Sequence, residues 1–147
     1  MIHCRGMEIN YIAIVVAAVA QFIVGGIWYM PLFGKMWGEM HGFDKVAPEV
    51  QKQMSKDMMP LLVVQAFLAL VTSAVFGILV AYMTLPQDWT LWCLAALYWL
   101  GFAAPSQVSL VIFGGTEPKW VVKKTLIAIG GSLLCFLAMA AVFVLLG

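Results

Sequence analysis

A chain of 147 residues that is 64% hydrophobic and only 10% charged has too little interior of its own to hide that much apolar surface. Lipid must cover the remainder, so composition predicts an all-α, polytopic integral membrane protein built as one transmembrane domain over 1–147. Eight basic residues against seven acidic ones leave a net charge of +1, with no basic face to follow a phosphate backbone, which excludes nucleic acid as a partner.

Crossing ~30 Å of hydrocarbon at ~1.5 Å per residue takes ~20 mainly apolar residues. The first segment to meet this is Ile9 to Met30. Arg5 ahead of it and Ala18-Val19-Ala20 inside it imitate a secretory leader and its cleavage site. Hydrophobicity runs on well past Ala20, however, and the lysines follow the stretch, as suits a retained span. Met7 heads its own run, MEINYIA, and is an alternative start that would leave His3 and Cys4 in a dispensable extension. The span ends in GGIWYMPLFGKMW, residues 25–37. This reads as a boundary: Gly25 and Gly26 allow close packing, Trp28 and Tyr29 sit at headgroup depth, and Pro31 ends the helix. Gly34 then permits a turn, Lys35 holds the end in the cytoplasm, and Trp37 returns to the interface.

The connection from Lys35 to Asp57 carries Pro48 and Glu49, which suit the first turn of a helix, and Val50, Met54 and Met58 at four-residue spacing. A short cytoplasmic amphipathic segment lying on the membrane surface is expected there, with a solvated connector leading into the next span as the alternative. The second span runs from Pro60 to Leu85. Its Gln65, Ala69, Ser73, Gly77 and Ala81 form one ridge that should face protein, because small residues let backbones approach. Leu85-Pro86-Gln87-Asp88 is short enough to join spans two and three as an antiparallel hairpin, with Asp88 capping the third helix.

The third span, Trp89 to Phe113, contains Gly101 to Gln107, where Pro105 should kink the helix and free the Gly101 carbonyl. Ser106, Gln107 or Gln21 of a neighbour are candidates to satisfy freed groups. The fourth, about Trp120 to Leu146, has Lys123 and Lys124 in its first turn and Gly130, Gly131 and Ser132 marking close packing, with Ala128, Ser132 and Ala140 along one side. Seven lysines lie on the side of the two long connections, against Arg5 alone on the other. That bias predicts both termini outside the cytoplasm of a cell inner (plasma) membrane.

With no ionisable residue deep in a span, the candidate polar pocket or interhelical contacts are Gln21, Gln65, Ser73, Pro105, Ser106 and Gln107. The three cysteines form no redox or zinc spacing, and His41 is the sole histidine beyond the leader. No catalytic constellation, metal site, cofactor or phosphate loop is expected, and the intramembrane carboxylate or histidine usual in proton-coupled transport is missing.

The string carried by Gly25 or Gly26, Trp28, Tyr29, Pro31, Phe33, Gly34, Lys35 and Trp37 resembles the bacterial membrane family called domain of unknown function 1761. The opening Glu8-Ile9-Asn10-Tyr11 and the run Trp99 to Pro105 resemble it too, so the likeness spans nearly the whole chain. Met30 stands where many members have serine, and the spacing between Pro31 and Phe33 is one residue short. The resemblance implies a small four-span membrane protein and lends no activity. Partners beyond the bilayer are therefore expected to be copies of the chain or a larger membrane complex, in an accessory or scaffold role. The alternative is a passive carrier or channel for a small neutral solute, which requires Gln21, Gln65 and Gln107 to converge.

Overall fold

The computed structural model describes residues 8–147; Arg5, His3, Cys4 and the Met7 start lie outside the described residues. Asn10 opens the first helix, its side-chain oxygen accepting from the Ala13 amide at 2.9 Å. Helix α1 (Tyr11–Ile27) continues into a π-helical turn, Trp28–Leu32. Pro31 therefore does not end the span, as the sequence reading had it, but sits inside that turn. A proline lacks its amide and crowds the carbonyl four residues back. Widening the turn moves the ladder to a five-residue step, seen in the Phe33 amide donating to the Trp28 carbonyl at 3.1 Å.

The helical backbone is interrupted at Phe33, with φ −119° and ψ 6°. A Cβ on Gly34 would stand 3.1 Å from the Tyr29 carbonyl oxygen, so a side chain there would press on fixed backbone. Helix α2 (Gly34–Met40) then lays Trp37 edge-on against Tyr29, ring centroids 5.0 Å apart. After Gly42, in the left-handed region at φ 71°, and a 3-10 turn, Phe43–Lys45, helix α3 begins at Pro48 and runs unbroken to Tyr82.

That continuity corrects the expected separate amphipathic segment. Pro48 serves as a first-turn proline, while Pro60 forfeits only one ladder bond, so a single 35-residue helix results. At ~1.5 Å per residue it is about 50 Å long, well beyond the ~30 Å of hydrocarbon it must cross.

Asp88 caps α4 (Trp89–Tyr98) by accepting from the Thr90 amide at 2.8 Å, and hydrogen bonding from the Thr90 side chain and then from its amide holds the carboxyl below the usual range. A second π turn, Trp99–Ala103, leads into α5 (Ala104–Phe113), so the third span is one rod with a widened turn just ahead of Pro105. Ser106 Oγ donates to the Phe102 carbonyl at 2.6 Å, covering a group near that irregularity. After a 3-10 turn, Pro118–Trp120, α6 (Val121–Leu146) closes the chain.

Four rods are thus long and apolar enough to cross a membrane, which is the architecture of a multi-pass membrane protein. Helices α1 and α6 form the centre: α1 packs on α6 and on α3, while α4 and α5 pack on the opposite flank of α6. Spans two and three are adjacent in sequence yet each leans on a different partner. The hairpin expected from the short turn is present as a connection without being a packed pair along its length. Residues of α1, α3, α4 and α6 meet in one apolar core, with Leu91, Met139, Ala95 and Phe143 at its heart.

Candidate functional site

Helices α1 and α6 run antiparallel in constant register. Asn10 Nδ2 donates to the Leu146 carbonyl at 2.7 Å, the Cys135 thiol approaches the Gln21 carbonyl at 3.5 Å, and Trp28 Nε1 donates to the Ile127 carbonyl at 2.9 Å. Descending α1 thus matches ascending α6 almost residue for residue. Close packing at the Trp28 end comes from Gly130 and Gly131. A Cβ on Gly131 would lie 2.6 Å from Trp28 Cδ1 and 3.2 Å from the Tyr29 hydroxyl oxygen, and one on Gly130 3.1 Å from Trp28 Cζ2. The glycine pair is the slot that receives the indole.

The second π turn repeats the device. Trp99 Nε1 donates to both the Ile129 carbonyl and Ser132 Oγ, each at 3.0 Å. Each π turn begins with a tryptophan, and each tryptophan bonds the same short stretch of α6, residues 127–132, from a different flank. Trp28 was expected as a headgroup anchor, and the structure places its polar edge on backbone inside the bundle. The spacing of Trp28 to Pro31 and the nearness of Trp99 to Pro105 were the only sequence signals for this clamp.

The remaining motif residues gather beneath it. Phe33 stacks on Trp28 at 4.6 Å between centroids, and Trp37 reaches His41 at 4.9 Å. Lys124 Nζ lies 5.9 Å over the Trp37 ring and 3.3 Å from Thr116 Oγ1. Lys35 and Pro31 are exposed, and Gly26 has open space where a Cβ would be.

Of the candidate polar residues, the structure unites two. Gln21 is buried, and its Nε2 donates to Ser73 Oγ at 2.7 Å and to the Ala69 carbonyl at 3.4 Å. Ser73 is wholly buried, and the small ridge of α3 is indeed the face laid against α1: Ala69, Ser73 and Gly77 are all buried. A Cβ on Gly77 would meet Ile14 and Phe143 at 3.0 Å. Gln65 lies a full turn beyond Ala69 towards the end of the span that bears Trp28, and is exposed. Gln107 stands two turns past Trp99, level with the first turn of α6, and is half-buried, while Pro105 and Ser106 are exposed. The glutamines therefore stand at two levels, Gln21 mid-span and the others at the lysine-bearing boundary.

Two openings can be described. A cup of about 590 Å³ at the far end is lined by Glu8, Asn10, Thr84 and Gln87 above Gly77 and Phe143. A groove of about 220 Å³ between α3 and α4, floored by Phe136 and Met139 of α6, is almost wholly apolar. None of the three glutamines lines either. Among the described residues, no three of His, Cys, Asp and Glu are grouped to hold a metal ion, and no buried side-chain N or O lacks a partner.

Residues 12–144 match the family described as protein of unknown function DUF1761, a match that takes in both π turns, the glycine slot and the Gln21–Ser73 pair. The chain belongs to the DUF1761 family. No curated protein matches the chain, and no solved structure does. Membership in DUF1761 agrees with the resemblance carried by the string around Trp28, and it assigns no reaction.

The bond between Gln21 and Ser73 has a measurable value. A double-mutant cycle with Gln21→Leu and Ser73→Ala, followed by unfolding in micelles, is expected to give a coupling of about 0.6–1.7 kcal/mol, the range found for hydrogen bonds between membrane helices. A coupling near zero would mean that the two side chains find equal partners elsewhere.

Proposed function

We propose that this DUF1761 protein is an accessory or interaction subunit of the membrane rather than a conduit. The observation that carries this reading is the fate of its polar groups. Gln21, Ser73, Trp28, Trp99 and Ser132 are all spent on bonds between its own helices, and none of them lines either opening. Meanwhile the first half of α3 has almost no partner in its own chain. From Lys52 to Leu68 nearly every residue is exposed, including Met58, Met59, Leu61, Val63 and Phe67. The small-residue ridge is already occupied by α1, so docking falls to this half-helix and the connection from Lys35 to Asp57.

The test is purification in a mild detergent with mass determination, combined with photo-crosslinkers placed in turn at Leu61, Val64 and Leu110. A particle larger than the monomer, with a discrete protein adduct from α3 and none from Leu110, is the expected result. A free monomer giving only lipid adducts would overturn the reading. Flux of small neutral solutes through proteoliposomes above the leak of empty ones would instead favour a carrier.

A further inference from the structure

At the lysine-bearing boundary, the loop leading into α6 and the first turn of that helix carry three lysines, Lys119, Lys123 and Lys124, against one carboxylate, Glu117. Lys119 is paired, its Nζ 2.8 Å from Glu117 Oε2, and Lys119 holds the Glu117 carboxyl below its usual range. That is the sole ion pair among the described residues, and residues 1–7 contain no acid. Glu117 being taken, Lys124 has no carboxylate. Its half-buried ammonium is instead held in place by a neutral hydroxyl, Thr116 Oγ1, and by the face of Trp37. Lys123 sits 5.5 Å over the ring of Trp120 one turn away.

An ammonium fixed by groups that do not neutralise it is set for an outside anion. We infer that Lys124 and Lys123, framed by Trp37 and Trp120, seat the phosphate of an anionic phospholipid headgroup. This is independent of the accessory role proposed above. Two features choose a lipid phosphate over a free one. The seat lies at the level of the interfacial aromatics, where headgroup phosphates already are. Directly beside it, Phe113, Val122 and Leu126 are strongly exposed and apolar, a surface for the acyl chains of the same molecule.

Native mass spectrometry of the full chain, released from a non-ionic detergent holding equal amounts of phosphatidylglycerol and phosphatidylcholine, tests it. The wild type is expected to retain phosphatidylglycerol preferentially, and Lys124→Gln to reduce that preference about fivefold, the effect of one lysine at an anionic surface. Lys124→Arg should keep most of it. Thr116→Val, which removes the hydroxyl and not the charge, should weaken it and serves as the probe should Lys124→Gln not fold. Lys52→Gln, on the unpartnered half of α3, should leave it unchanged. Equal retention of both lipids by the wild type, or an equal loss in Lys52→Gln, would overturn the seat. Complete displacement of phosphatidylglycerol by inorganic phosphate would overturn its assignment to lipid.

Discussion

Truncating Phe143 to alanine is expected to lower the stability of the bundle by about 2–3 kcal/mol. The side chain is 3% exposed, tilts against Phe76 with centroids 5.4 Å apart, and touches the site of Gly77, joining α6 to α3 across α1. In a water-soluble core, Phe→Ala costs about 3–5 kcal/mol, partly from transfer out of water and partly from the cavity left behind. Separated helices in a micelle keep the ring in hydrocarbon, so the transfer part shrinks and the cavity part remains. Unfolding by sodium dodecyl sulfate titration measures it. Phe113→Ala is the matched control, since that ring is 85% exposed and should cost little.

Gly131→Ala is expected to cost about 1–3 kcal/mol, from adding a methyl where there is no room. The colliding atoms, Trp28 Cδ1 and Nε1, belong to a flat ring already tied to the Ile127 carbonyl. The ring must tilt and its hydrogen bond must lengthen, so the same variant should shift Trp28 fluorescence. Gly26→Ala provides the contrast. Nothing lies within 4 Å of a Cβ there, and alanine favours a helix over glycine by up to about 1 kcal/mol, so that variant should be neutral or more stable. Both glycines belong to close-packing candidates by sequence, and only one is needed for packing.

The spans were legible because hydrocarbon imposes length and apolarity on each helix separately, and Asn10 and Asp88 show how short-range chemistry fixes the ends. The Gln21–Ser73 contact was legible in part: four-residue spacing put Ser73 on the ridge, and a deep amide had to find a partner. What escaped was anything decided by two elements at once. Pro31 read as a helix end and Pro105 as a kink because a proline removes a ladder bond, whereas one turn is widened at Pro31 and another just ahead of Pro105. Trp28 read as interfacial because tryptophan favours that depth and Trp99 carried no such signal, and only the bundle brings their indoles to carbonyls of α6. Pro48, Val50 and Met54 allowed either a separate surface helix or a connector leading into the second span, since the stripe is local. Its fusion with the second span depends on Pro60 being tolerated.

Gln21 and Ser73 are buried and bonded to each other, which predicts that water does not reach the middle of the bundle. Ser73→Cys, nearly isosteric, in a background with Cys4, Cys93 and Cys135 replaced by alanine, reports on it through a water-soluble, membrane-impermeant thiol reagent. No labelling is expected from either side of the membrane, while Gln87→Cys at the exposed turn reacts readily. Labelling of position 73 at a rate near that of position 87 would mean that water reaches Gln21 and that the bundle is open at its middle.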